Sequence, residues 1–207
     1  LKSEILAGNV VAFIGSKLGF YGNDIGFYPK DILLPPASSN PFVTSQNDVE
    51  FNVPLAGWVF NFGTGNQNNV TLTATITLGM NTLYSQSSNP VTLNSGDSIY
   101  FSLPAFSQSS YPQGLYKVQY ATNSDSTDEF PADNILRADF VISDTLFSYG
   151  QIDTTTLMPI SSASYRASSA TTEFVTCINF RDSLAGRLVA DGIYFTASTT
   201  TANSLTG

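Results

Sequence analysis

The sequence predicts an all-β protein: an Ig-like antiparallel β-sandwich of about seven strands, followed by strands of a second, jelly-roll-like β unit, either whole or a fragment. Three observations predict it. Val70–Leu78 reads VTLTATITL, with Val70, Leu72, Ala74, Ile76 and Leu78 on one face and Thr71, Thr73, Thr75 and Thr77 on the other. Side chains on a strand alternate faces with period two, and β-branched residues favour strands. Turn signals recur roughly every 8–15 residues between positions 40 and 143, the rhythm of a sandwich. Composition agrees: 42% of the residues are hydrophobic, with 15 Phe and 10 Tyr to fill a core, while only 12% are charged. That charged share is about half the usual one, and Ser, Thr and Asn supply the polar surface instead.

The elements follow in order. Val10–Ile14 and Leu18–Tyr21 are short apolar pieces broken by Gly8, Gly15, Gly19 and Gly22, which suits one or two strands better than a helix. Pro29, Pro35 and Pro36 make residues 23–40 an extended lead-in, with a first strand around Asp31–Leu34. Val49–Leu55 is a strand whose Pro54 marks an edge or a bulge. Gly57–Phe62 is strongly β, residues 63–69 form a loop, and Val70–Leu78 follows. After a turn at 79–81 comes a short strand at Thr82–Ser85, and Asn94–Asp97 turns into Ser98–Leu103. A loop over 104–114 leads to Leu115–Ala121. An acidic loop over 123–134 leads to Ile135–Ile142, where Leu136, Ala138, Phe140 and Ile142 share a side. Beyond Asp144 the chain turns Ser/Thr-rich, and strand-like runs return only at Phe174–Phe180 and Arg187–Thr196. The expected domains are a lead-in at 1–40, the sandwich at 41–145 and the second unit at 146–207.

Charge and missing residue types narrow the function. The net charge is −8, and no Lys or Arg occurs between Asp31 and Tyr116. Such a surface repels phosphate backbones and anionic lipid, so nucleic acid is not an expected partner. The chain has no His, which removes the commonest general base, metal ligand and triad partner. Its one Cys, Cys177, has no second thiol to pair with and no His to activate it, so it is expected as a small buried residue on a strand. No run of about eighteen apolar residues is present, so no membrane insertion is expected. The first residues lack the basic start and long apolar stretch of a signal peptide. No enzyme motif of the phosphate-loop, nucleophile-elbow or zinc type appears, and no enzymatic activity is expected.

The segment GWVFNFGTGNQNNVTLTATI resembles cell-adhesion-related Ig-like (CARDB-like) domains of secreted and surface proteins from gliding-type bacteria, through Val59, Asn61, Gly63, Asn69, Val70 and Leu72. The turn at Leu93–Ser98 and the stretch with Gly114, Tyr116, Asp125, Asp128, Glu129 and Asn134 extend the resemblance over about residues 50–145. It implies a non-enzymatic, extracellular or cell-surface β-domain with a structural or adhesive role, and export by the type IX route. No C-terminal sorting domain is evident in the sequence. Other proteins or surface glycans are the expected partners. Alternatives are a self-assembling filament subunit joined edge to edge by β-strand addition, and an accessory domain of a secreted hydrolase.

Few residues are candidates for a site. Asp125, Asp128, Glu129 and Asp133 cluster in one loop beside Asn123 and Asn134, and hard oxygen ligands suit calcium. The spacing is not that of an EF-hand, and a solvated hairpin loop is the plainer expectation. Paired-carboxylate glycosidase chemistry needs carboxyls facing across a cleft, which one loop tip does not supply. The Thr row could order water or meet a flat surface, but Thr is favoured on any solvent-facing sheet. Rows of exposed rings bind sugars by stacking, whereas most aromatics fill sandwich cores. Trp58 is expected in the core and Tyr111, in the SSYPQG loop, is expected to be exposed. Asn69-Val70-Thr71 fits a glycosylation sequon, which carries little weight in a bacterial protein.

Overall fold

The structure, a computed structural model, describes residues 21–160 and 182–194. Among them are β1 (Ile25–Gly26), β2 (Ser39–Pro41), β3 (Val53–Asn61), β4 (Gln67–Leu78), β5 (Asn81–Ser87), β6 (Val91–Leu93), β7 (Ser98–Phe106), β8 (Gly114–Asn123), β9 (Ile135–Arg137) and β10 (Phe140–Ser143), with no helix beyond 3-10 turns. The protein is all-β, and two sheets form a sandwich. One has the order β1-β3-β7; the other runs β2-β10-β8-β4-β5, with β6 on β4 and β9 on β8. Pairing is antiparallel except between β2 and β10, which run parallel.

The core lies between the sheets and follows period two. Val70, Leu72, Ala74 and Ile76 of β4 are fully buried, and they face Val53, Leu55 and Val59 of β3 and Phe101, Leu103 and Phe106 of β7. On β8, Tyr116, Val118 and Tyr120 point the same way. Tyr116 stacks on Phe140 at 4.7 Å and 11°. Its hydroxyl donates to the Pro112 carbonyl, 2.8 Å away and four residues upstream, the tyrosine corner of Ig-type sandwiches. Gly114 precedes it at φ 148°, and a Cβ there would meet Leu78 Cδ1 at 2.8 Å, so the Gly-x-Tyr spacing has a steric cause.

Asn61, at the end of β3, ties the top of the sandwich. Its Nδ2 donates to the carbonyls of Gly65 (2.9 Å) and Leu93 (3.0 Å), and its Oδ1 accepts from Gly63 N at 3.0 Å. A Cβ on Gly63 would sit 2.6 Å from the Gly22 carbonyl oxygen, so the Asn-x-Gly pair lets the segment before β1 pack directly on this turn.

Several strands differ from expectation for local reasons. Val49–Leu55 and Gly57–Phe62 merge into β3. Residues 49 and 50 stay outside it because Asn47 Oδ1 accepts their amides, at 3.0 and 3.2 Å, an Asx turn that stops the strand. The register does shift between Val53 and Leu55, around Pro54. In place of a strand at Asp31–Leu34 there is a 3-10 turn at Pro29–Asp31, then a single bridge from Ile32 to Gly57. β4 begins at Gln67, and its register shifts before Val70, where Asn69 takes φ 53°. β7 runs on through Pro104, which an edge strand tolerates. Ile135–Ile142 breaks into β9 and β10 because Asp139 Oδ1, not a backbone carbonyl, accepts Val118 N at 3.0 Å.

The lead-in and the second unit are described in part. β1 and β2 belong to the two sheets, so the lead-in from residue 25 is woven into the sandwich. Over 146–160 there are only bridges, Ser39 to Ser148 and Ile152 to Pro159. The strand expected at Arg187–Thr196 is absent over its described part, 187–194: a 3-10 turn at Ala185–Arg187 is followed by irregular chain. Arg187 is spent on the sandwich instead, pairing with Glu50 at 2.9 Å and donating to the Val43 carbonyl. The expected strands at Val10–Ile14, most of Leu18–Tyr21 and Phe174–Phe180, with Cys177, lie outside the described residues.

Candidate functional site

The smaller sheet turns a set of rings outward. On β3 the inward positions are Val53, Leu55, Gly57, Val59 and Asn61, so Trp58 and Phe60 must face out. Trp58 is directly opposite Tyr100 of β7, with ring centroids 5.4 Å apart. Phe60 stacks on Phe62 at 5.6 Å, and Tyr28 stands edge-on to both at 5.1 Å. Lys30 Nζ lies 6.0 Å from the centroid of the Tyr28 ring. Trp58, Tyr28 and Tyr100 are 42%, 46% and 47% exposed. The expectation that Trp58 is a core residue is therefore corrected: aliphatic residues on the opposite parity of β3 claim the core.

Tyr111 is corrected in the other direction. It is fully buried, within 5.3–6.3 Å of the rings of Phe51, Phe106 and Tyr116. Its hydroxyl accepts from Gln108 N at 3.0 Å and donates to the Phe106 carbonyl at 3.4 Å. The loop before β8 folds over the open end of the sandwich, and Tyr111 plugs it. Burial pushes the Tyr111, Tyr116 and Tyr120 hydroxyls up to about 12.

The acidic loop is a clasp on β1. Asp128 Oδ2 accepts Ile25 N at 2.8 Å while its Oδ1 accepts Phe130 N at 2.7 Å. Glu129 Oε2 accepts Gly22 N at 3.1 Å, and the Asp133 carbonyl accepts Phe27 N at 3.1 Å. Asp125 is turned away to Asn69, whose Nδ2 donates to Asp125 Oδ2 at 2.6 Å. The four candidate ligands are thus spread along the loop. Among the described residues no three His, Cys, Asp or Glu side chains converge as metal ligands would.

The outer face of the larger sheet is polar. Thr73 bonds Ser87 at 2.7 Å and Thr75 bonds Ser85 at 3.5 Å. A shallow groove beside them is lined by Thr75, Thr77, Lys117, Gln119, Arg137 and Asp139. Tyr28, which completes the ring set, has no sequence signal beyond its place before Pro29. Tyr100 could be found from alternation alone, since Phe101 and Leu103 hold the inward parity of β7.

Among the described residues no helix is long and apolar enough to cross a membrane. In comparisons with known proteins, no family model and no curated protein matches the chain.

Proposed function

We propose that this chain is a structural and adhesive β-domain of a bacterial surface or secreted protein, working outside the cell without catalysis. It holds its partner on the outer face of the three-stranded sheet. The observation that carries the proposal is the exposed set Tyr28, Trp58 and Tyr100, backed by Phe60 and Phe62, on one rigid face. Large rings kept in water on a framework this well filled are a common mark of recognition. Surface glycans suit it best. The C–H face of a sugar ring stacks on aromatic rings, and the neighbouring hydroxyls of Ser98 and Ser102, exposed on β7, can take its polar edge. The low charge and Ser/Thr-rich surface fit an exported protein, as does the likeness of residues 50–145 to cell-adhesion-related domains.

The test is a glycan and matrix-protein array probed with the full chain and with Trp58→Ala/Tyr100→Ala. Binding that the double variant loses while keeping its fold supports the proposal. Silence across the array, or binding the variant retains, counts against it.

A filament subunit joined by strand addition is a second reading, favoured by one observation. β5 is an uncharged strand at the edge of the larger sheet. Regular polymers in electron micrographs would support it.

A further inference from the structure

The outer edges of β1, β2, β5 and β7 are not alike. On β1 the edge is closed by the acidic loop, through Ile25 N to Asp128 and Phe27 N to the Asp133 carbonyl. On β2 it is closed by Ser148, whose carbonyl accepts Ser38 N and Ser39 N and whose amide donates to Ser39. The β7 edge carries Pro104, which has no N–H, and the Pro104 carbonyl is taken by the Tyr84 hydroxyl at 2.6 Å. β5, Asn81-Thr-Leu-Tyr-Ser-Gln-Ser87, has neither proline nor charge. Among the described residues no strand pairs with its outer side.

The register tells which groups face that side. Ser88 N donates to the Leu72 carbonyl at 2.8 Å, and Ser88 Oγ accepts Leu72 N at 3.0 Å. Hydrogen-bonded positions alternate along an antiparallel pair, so Ala74–Gln86 and Ile76–Tyr84 bond next. The amides and carbonyls of Ser85 and Ser87 then point away from β4, into solvent. Their side chains stay on the outer face, bonded to Thr75 and Thr73.

We propose that β5 pairs with β5 of a second copy of this chain, in an antiparallel two-fold centred on Gln86, joining two larger sheets into one. Ser85 then faces Ser87 of the second copy and the reverse, each pair exchanging both its N–H···O bonds. Gln86 meets its own counterpart at the close, non-hydrogen-bonded position. The self-complementary pattern of Ser85, Gln86 and Ser87 suits a second copy, and charge directs the contact to this edge. With a net charge of −8 most surfaces of two copies repel, but β5 brings no like charges together. The contact is isologous and closes at two copies, so it competes with the filament reading for the same edge, and regular polymers in electron micrographs would overturn it. Its few main-chain bonds place assembly at about tens of micromolar to millimolar protein. The ring face is on the other sheet, so this dimer and the glycan proposal stand or fall separately.

Sedimentation of the full chain over that concentration range tests the pairing. A reversible dimer is expected, and Ser85→Pro, which removes an outward N–H without touching the ladder to β4, should return it to monomer with an unchanged circular dichroism spectrum. Should Ser85→Pro unfold, Ser87→Lys serves in its place. Gln86→Cys should form a disulfide-linked dimer on mild oxidation, beyond any background that wild type shows through Cys177. A wild type that is monomeric at about 1 mM overturns the proposal. So does a dimer that survives the edge variant, or a Gln86→Cys chain that does not crosslink.

Discussion

The two outer faces of the sandwich have the same geometry and opposite chemistry. β3 and β4 both turn every second position inward, and most of those positions are aliphatic. Outward, β4 carries threonines bonded to serines, while β3 carries Trp58 and Phe60 beside Tyr28 and Tyr100. Both choices satisfy strand propensity, since β-branched and aromatic residues are alike favoured. The fold therefore dictates the inward set and leaves the outward set free. The rings have a bland use too: a cross-strand aromatic pair such as Trp58–Tyr100 contributes about 0.2–1 kcal/mol to the sheet. Only a measurement that separates stability from binding decides what the rings are for.

The largest effect belongs to the inward set. Leu72→Ala, at a fully buried position, should cost about 2–5 kcal/mol in urea unfolding. Its outward neighbour Thr73→Ala, losing one exposed hydroxyl bond to Ser87, should cost under about 1 kcal/mol. Equal costs would mean that β4 is not half-buried as described. The contrast sharpens on the other sheet. Trp58→Ala should cost at most about 1 kcal/mol of stability, yet weaken glycan binding by roughly 10- to 100-fold, as loss of a central aromatic anchor does. Thr75→Ala should leave binding where it was. If the two variants change binding alike, the rings are packing and the faces are not functionally different.

How much of this could be read from the amino acids depends on which link is asked about. Alternation located β4 and β8 well, because an unbroken aliphatic parity leaves one solution. It located Trp58 badly, because GWVFNF is apolar on both parities and the inward side is chosen by aliphatic residues upstream, at Val53 and Leu55. Tyr111 misled for a different reason. A polar loop with a proline looks solvated, and only the tertiary closure of the sandwich end buries its ring. The acidic loop is evident in the sequence, but its use is not. Asp128 and Glu129 bind backbone amides about a hundred residues away, and no local pattern encodes a partner that distant. For the same reason no sequence pattern marks β6: Val91 and Leu93 form a strand only because β4 is beside them.

The clasp gives a smaller, more specific test. Asp128→Asn keeps the shape but leaves a single acceptor, so one backbone N–H loses its partner and the other bond loses its charge, and about 1–3 kcal/mol should go. A chelator should leave the melting temperature unchanged, since the carboxylates of Asp125, Asp128 and Glu129 already accept from amides. A melting temperature that rises with calcium and falls on chelation would restore Asp125, Asp128, Glu129 and Asp133 as a site.

The smallest effect at neutral pH is also the one whose sign can be fixed in advance. Tyr111, Tyr116 and Tyr120 have their hydroxyls raised from 10 to about 12 by burial, so the folded state holds these protons more tightly than the unfolded one. Their contribution is fully present below pH 10 and is lost as the pH climbs through about 12. Stability should thus fall between pH 10 and 12, and the inward tyrosines should drive the fall. Tyr116→Phe isolates one share. At pH 7 the variant gives up its bond to the Pro112 carbonyl, about 1 kcal/mol. Toward pH 12 it has no phenol to ionise, so the gap to wild type should close and can reverse. A gap that stays constant from pH 7 to 12 would mean Tyr116 is not the buried, neutral donor that the tyrosine corner requires.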